Sequence, residues 1–185
     1  MYDTTFSGRD EDNLRCLDLC HEFNQMKPSD LAGREAILRK IMHRVGKNVR
    51  AEQNIYISFG YNMEAGDNLF INHNCVFLDP GKITFGDNVF IGPCCGFYTA
   101  HHAIDREQRN RHYEYALPIT VGSDVWFGGH CCVLPGVTIG SDVVIGAGSV
   151  VTHDIPDHVV AAGNPCRVIR KITDADRDIY RKARK

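Results

Sequence analysis

Residues 121–156 read VGSDVW FGGHCC VLPGVT IGSDVV IGAGSV VTHDIP, six hexads in a single frame. Their first positions, Val121, Phe127, Val133, Ile139, Ile145 and Val151, are all apolar, and Gly follows at 122, 128, 140 and 146. The fifth positions, Val125, Cys131, Val137, Val143, Ser149 and Ile155, are small or β-branched. A period of six fits neither an α-helix nor an alternating strand. It suits a prism whose flat faces are short strands, with one aliphatic residue per face turned inward at each level. Three hexads close one coil, and stacked coils bury a continuous apolar column. The second-position Gly is expected to relieve unusual backbone angles at tight corners.

The pattern extends toward the N-terminus. Phe85-Gly86, Ile91-Gly92 and Phe97 keep the frame, with Val89 and Cys95 at fifth positions. Phe59-Gly60, Ala65-Gly66, Ile71 and Phe77 continue it with a two-residue shift. The fold class is therefore mainly β, a left-handed parallel β-helix preceded by α-helices. Residues 1–46 form the N-terminal helical segment, 47–172 the β-helix and 173–185 a polar tail. Helices are predicted over 11–24 and 30–45. In the second, Leu31, Ile37, Leu38, Ile41, Met42 and Val45 share a face, Ser29 or Asp30 caps it and Gly46 stops it. Residues 98–118, YTAHHAIDREQRNRHYEYALP, break the hexads, and an excursion of that length in a compact domain is usually functional.

Formal charge is −2 at pH 7, which advertises no basic surface for nucleic acid or an anionic membrane. The acidic start MYDTTFSGRDEDN does not resemble a secretory signal, and no apolar run is long enough for a membrane span. A soluble, cytoplasmic protein is expected. The eight cysteines lack any CxxC spacing. Adjacent strand residues face opposite sides, so Cys94-Cys95 and Cys131-Cys132 should each divide between core and exterior as free thiols.

Five segments carry a resemblance: INHNCVFLD at 71–79, YTAHHAID at 98–105, VWFGGH at 125–130, VTIGSDVVIGAGSVVTHDIP at 137–156 and AAGNPCRVIRKI at 161–172. Together they resemble the hexapeptide-repeat sugar O-acetyltransferases, in particular galactoside and maltose O-acetyltransferases, over about residues 14–172. The resemblance implies acetyl transfer from acetyl-CoA to a sugar hydroxyl, with no metal, in a homotrimer whose active sites lie between subunits. An alcohol attacking a thioester needs a base, and histidine suits that task. The family's motif places the base at His102, with His101 as its neighbour in register and Ala103 where the family usually has proline. Asn72 matches an asparagine that contacts the acceptor and supports catalysis; the residues alone also allow a corner or an asparagine ladder. Asp18, Ser58 and Glu114 fall at acceptor-side positions, Glu114 where the galactoside pattern has methionine.

Trp126, Gly129 and Ala147 match positions along the pantetheine arm of coenzyme A. Thr152, His153, Arg167 and Arg170 match those at its nucleotide end, where arginine forks suit phosphate. His153 replaces the usual lysine, and Lys171 lies close by. Cys75, at a fifth position, is expected to be inward and inert, which favours direct transfer over an acetyl-cysteine. Other hydroxyl acceptors, including antibiotics, remain alternatives. So does a zinc enzyme of carbonic anhydrase type drawing on His73, His101, His102, His112 and His130, although no two of these five stand at His-x4-His spacing.

Overall fold

The computed structural model describes the backbone of residues 2–3 and 7–178 and the side chains of 11–177. The chain winds a left-handed parallel β-helix with three flat faces. The first face stacks Arg44–Val45, Met63–Ala65, Ile83–Phe85, Ile119–Val121 and Thr138–Ile139. The second stacks Arg50–Ala51, Phe70–Ile71, Phe90–Ile91, Val125–Phe127, Val143–Ile145 and Val159–Ala162, and Arg167–Lys171 returns antiparallel beside the last. The third stacks Tyr56–Ile57, Val76–Leu78, Gly96–Tyr98, Cys132–Val133 and Val150–Val151.

Register follows the hexads: Phe85 pairs with Val121, Ile91 with Phe127 and Phe97 with Val133. All of these are buried. Phe77, Phe85, Phe97 and Phe127 meet at the centre of the column. Phe97 stacks on Phe77 at 5.3 Å and meets Phe85 and Phe127 edge-on, each at 5.2 Å.

The inward residues also show where chain length varies. From the first face to the second the spacing is always six, as in Val45 to Ala51 and Phe85 to Ile91, and from the second to the third it is again six. From the third face back to the first it changes at almost every level: Ile57 to Ala65, Phe97 to Val121, Val133 to Ile139, Val151 to Ile155. One prism edge thus absorbs the two-residue frame shift, the 98–118 excursion and a final shortening. The other two edges stay constant because their turns are locked by ladders. On the first-to-second edge, Asn48 donates to Asn68, Asn68 to Asn88 and Asn88 to Asp124 at 2.7–2.9 Å.

The expectation for the hexad glycines needs correction. Positive φ falls on the fourth position, at Asp124, His130, Gly136, Asp142 and Gly148. Second-position glycines serve close approach instead: a Cβ on Gly122 would lie 2.8 Å from the backbone of Gly140 one coil away.

Helix α1 spans Ser7–Gln25 and α2 spans Leu31–Ile41. Asp30 caps α2, accepting from the Gly33 N–H at 3.0 Å. The helix ends earlier than its apolar pattern predicts. His43 donates its backbone N–H to the Gly60 and Met63 carbonyls, and Val45 belongs to the first strand of the prism rather than to α2. The stop is therefore Met42, not Gly46, and Leu31 is exposed. Tertiary capture by the sheet overrides local periodicity.

Both helices close the open end of the coil. Ile37, Leu38 and Ile41 cover its top, and the buried Arg34 donates to the Ala51 carbonyl at 2.9 Å with its guanidinium 4.2 Å above the Phe23 ring. Asn13 and Asn24 donate to Ser58 and Ile55 at 2.7 and 2.9 Å. Such cover removes unpaired edge groups that would invite another strand. In the tail, a short 3-10 turn occupies Asp174–Asp178, and residues 179–185 lie outside the described residues.

All eight cysteines are free, and the adjacent pairs divide as expected: Cys95 and Cys131 are buried, Cys94 and Cys132 half-buried. Titration of the native protein with an aromatic disulfide reagent should therefore report at most two fast thiols, with the rest appearing only in denaturant. Fast reaction of more than two would contradict this packing.

Candidate active site

The 98–118 excursion is a built hairpin. Ala100–His102 pairs antiparallel with Tyr113–Ala116, and Tyr2–Asp3 adds a third strand on the far side. Thr99 pins the base of this hairpin to the prism, its buried hydroxyl donating to the Leu78 carbonyl and accepting from the Gly81 N–H, both at 2.8 Å. Helix α3, Arg106–Asn110, forms the tip, capped by Asp105. Arg109 donates to the Ala103 and Ile104 carbonyls at 2.9 and 2.8 Å. Ala103 is buried and its N–H reaches the Tyr113 carbonyl at 3.4 Å, a bond that proline could not make.

Strand alternation separates the two candidate histidines. His101 stacks on its cross-strand partner Tyr115, ring centroids 5.3 Å apart and nearly parallel. His102 points to the other side, its Nε2 3.4 Å from Glu114 Oε1, with the imidazole more than half exposed. An aromatic-packed His101 and an accessible, carboxylate-flanked His102 are different chemical environments.

Asn72 sits at the end of the second face, on the edge leading to the third. Its φ is not positive and its side chain joins no ladder; Oδ1 accepts from the His73 N–H at 2.8 Å. It lines a shallow groove with Phe70, Phe90, Gly92 and Trp126. Phe70, Phe90 and Trp126 are register partners on successive coils, so they form an outward aromatic row. Trp126 is 52% exposed and thus does not serve the core. Gly129 and Ala147 lie along the same edge on the next levels, Gly129 half-buried and Ala147 exposed.

Toward the C-terminal end, His153 and Arg167 line one groove with Asp154, Cys166 and Val168. The Thr152 hydroxyl and His153 Nδ1 lie 2.8 Å apart, and Arg167 donates to the Cys166 carbonyl. Arg170 spends its fork differently: Nη1 and Nη2 meet the Asp176 carboxylate at 2.8 and 2.7 Å. That guanidinium holds the Asp176 carboxyl down at about 2. Lys171 is exposed on the same strand.

Two acceptor-side candidates lie apart from these groups. Asp18 is exposed on α1, in a groove with Arg15, Leu19, Glu22 and Lys40. Ser58 is 7% exposed at the first turn of the variable edge. Asp79, which the sequence pattern did not single out, organises that turn: it is fully buried and accepts from the Phe59 and Gly60 N–H groups, both at 2.8 Å. Burial pushes its carboxyl up, and those bonds oppose the shift. Gly60 has φ +75°, and a Cβ there would strike the Ile41 carbonyl. The signals for Asp79 were its place at the end of INHNCVFLD and the LDPG turn at 78–81. Cys75 is fully buried, and burial pushes its thiol up to about 11. Among the described residues, no group of three or more His, Cys, Asp and Glu is placed to hold a metal ion. No helix among them is long and apolar enough to cross a membrane.

A triangular β-helix with a histidine-bearing hairpin at one edge and a small-residue edge beside a tryptophan defines a hexapeptide-repeat acyltransferase. The bacterial transferase hexapeptide family (six repeats) matches residues 118–153, and the maltose acetyltransferase hexapeptide capping motif matches residues 2–46. The galactoside O-acetyltransferase of Escherichia coli is 44% identical over 173 residues, covering 94% of this chain and 85% of that protein. The crystal structure of a maltose O-acetyltransferase from Clostridium difficile superposes with a TM-score of 0.92 at 46% identity, covering 94% of this chain and 92% of that one. A galactoside acetyltransferase in complex with coenzyme A gives 0.93 at 42% identity, covering 97% and 90%. The chain belongs to the galactoside and maltose O-acetyltransferase family and is an acetyltransferase.

Proposed function

We propose that this protein moves the acetyl group of acetyl-CoA directly to a hydroxyl of a galactoside- or maltose-type sugar, with His102 as general base. The observation that carries the reading is the placement of His102: accessible, beside a carboxylate, on a hairpin pinned to the prism by Thr99. As the sugar oxygen attacks the thioester carbon, His102 takes its proton. The new C–O bond forms, the C–S bond breaks and the proton passes to the departing sulfur. The developing oxyanion is met by a backbone N–H of the rigid coil. Asn72 orients the acceptor, with Ser58 and Asp18 on the acceptor side. The pantetheine arm lies along Trp126, Gly129 and Ala147, where small side chains leave the backbone open to its amides. Thr152, His153, Arg167 and Arg170 receive the phosphates.

His102 and Asn72 occupy different prism edges: the hairpin leaves the third face at Tyr98, whereas Asn72 follows the second face. A homotrimer resolves this by setting the hairpin of one copy against the small-residue edge of the next. The outer surfaces support such head-to-tail contact. The second face carries Phe70, Phe90 and Trp126 outward, the third carries Tyr56, Val76 and Val150, and the first carries Glu64, Thr84 and Thr120. Two apolar faces flank the shared edge, and the polar first face is left for water.

A panel of galactosides, maltose, aminoglycosides and simple alcohols, assayed for thiol release from acetyl-CoA, tests the acceptor class. Turnover confined to aminoglycosides or to no hydroxyl compound at all would overturn the sugar reading. At the nucleotide end, His153→Lys restores a fixed charge and should lower KM for acetyl-CoA by up to about fivefold, the scale of one exposed ion pair. A raised KM would remove His153 from the phosphate site.

A further inference from the structure

We infer that Glu114 is a positioning residue for His102, holding the imidazole and balancing the charge it gains during transfer, rather than a contact for the sugar. This rests on the reading of His102 as base. The two residues face each other directly across the hairpin ladder, so backbone hydrogen bonding sets their spacing. His102 Nε2 lies 3.4 Å from Glu114 Oε1. The carboxylate is the better-sheltered partner, with a side chain 19% exposed against 58% for the imidazole. An acid that is drawn in while its base remains open is arranged to act on the base. Catalytic hydrogen bonds are often long before substrate binds and tighten in the substrate complex.

The ladder gives Glu114 support from both sides. Tyr2 is its partner on the outer strand, as His102 is on the inner, so the residue occupies the central strand of the three. His101 and Tyr115 occupy the opposite face, and their stacking resists rotation of the hairpin about its axis.

The chemical role follows from proton balance. When the acceptor O–H bond breaks, its proton goes to His102 and a cationic imidazolium forms beside Glu114. The neighbouring carboxylate offsets that charge, and the pair returns to its starting charge when the proton passes to the leaving sulfur. With Nε2–H directed at Glu114, Nδ1 carries the lone pair that takes the proton. A third group orienting the base is the general logic of activated hydroxyl attack.

The test compares Glu114→Gln, Glu114→Met, His102→Ala and the double variant His102→Ala/Glu114→Gln, using acetyl-CoA with maltose and with a β-galactoside. Glu114→Gln and Glu114→Met should lower kcat about ten- to hundredfold, with KM for acetyl-CoA within twofold of the parent. In the His102→Ala background, Glu114→Gln should cost nothing further, since its effect runs through the imidazole. Histidine-selective 15N spectra should show His102 protonated at Nε2 in the parent and a changed tautomer balance in Glu114→Gln. A raised acceptor KM with unchanged kcat would overturn the inference and make Glu114 a sugar contact. So would a full Glu114→Gln loss persisting without His102, or an unmoved His102 spectrum. If His102→Ala itself keeps normal turnover, the base assignment fails instead, and the two failures are distinguishable.

Discussion

Replacing His102 by Ala is expected to lower kcat for acetyl transfer by roughly two to four orders of magnitude, the usual contribution of a positioned general base. The effect should fall on chemistry alone. The imidazole is largely exposed and packs against no core group, so thermal unfolding should match that of the parent. The residues assigned to coenzyme A lie elsewhere on the coil, so acetyl-CoA affinity should also hold. Steady-state kinetics with a thiol-trapping reagent, together with equilibrium binding of coenzyme A, check both points. Turnover within threefold of the parent would move the base to another group. His101→Ala is the natural comparison. It removes a ring stacked on Tyr115, so its effect should reach activity only through the hairpin's shape and stay far smaller.

Phe97→Ala is expected to do the reverse, costing about 3–5 kcal/mol of stability, the range for emptying a fully buried aromatic site. Phe97 has no exposed surface and touches three other phenylalanine rings at 5.2–5.3 Å. Those neighbours come from both adjacent coils and from another face, so no single side chain can move to fill the space. For a chain of this size the loss corresponds to a melting temperature lower by roughly 6–20 °C. The comparison must be made at fixed protein concentration, because assembly adds to apparent stability. A shift under 2 °C would mean that the column repacks freely. The variant should also lose turnover on warming before it unfolds, since the strand Gly96–Tyr98 runs directly into the hairpin that carries His102.

The repeat was legible because each face takes its inward residues from the first and fifth hexad positions, and both are buried all along 121–155. Val121, Phe127 and Val133 could be placed on three faces from spacing alone, and the structure keeps them there. Local chemistry was equally readable where the bond is short-range, as at the Asp30 cap. Long-range pairings were not. Val45 carries a helical pattern yet joins a strand, because Ala65, twenty positions later, offers it a ladder partner. The glycine at the second hexad position was read as a conformational device, whereas it answers to a neighbour one coil away.

At the site, the family motif named His102 and Asn72, but sequence could not say that they sit on different edges or that His101 is committed to Tyr115. It also could not show the Arg170 fork closed on Asp176, whose position depends on how the last strand turns back. On the proposed assignment of Arg170 to the nucleotide end, a coenzyme A phosphate would compete with Asp176 for that guanidinium. Asp79 escaped for a related reason: its value lies in two backbone N–H groups of the preceding coil.

The single variable edge has a further consequence. Because every change of coil length falls where the third face returns to the first, a segment can be lengthened, shortened or exchanged there without moving one inward residue on the other two edges. The scaffold is therefore modular in a specific sense. The pantetheine wall, assigned to Trp126, Gly129 and Ala147, is built from invariant spacing, whereas the hairpin assigned to acceptor chemistry hangs from the edge that tolerates revision. Transplanting a relative's 98–118 segment onto this prism should thus exchange acceptor preference while leaving the donor wall intact. Descendants of such a fold can diversify what they acetylate without relearning how to hold the acetyl carrier.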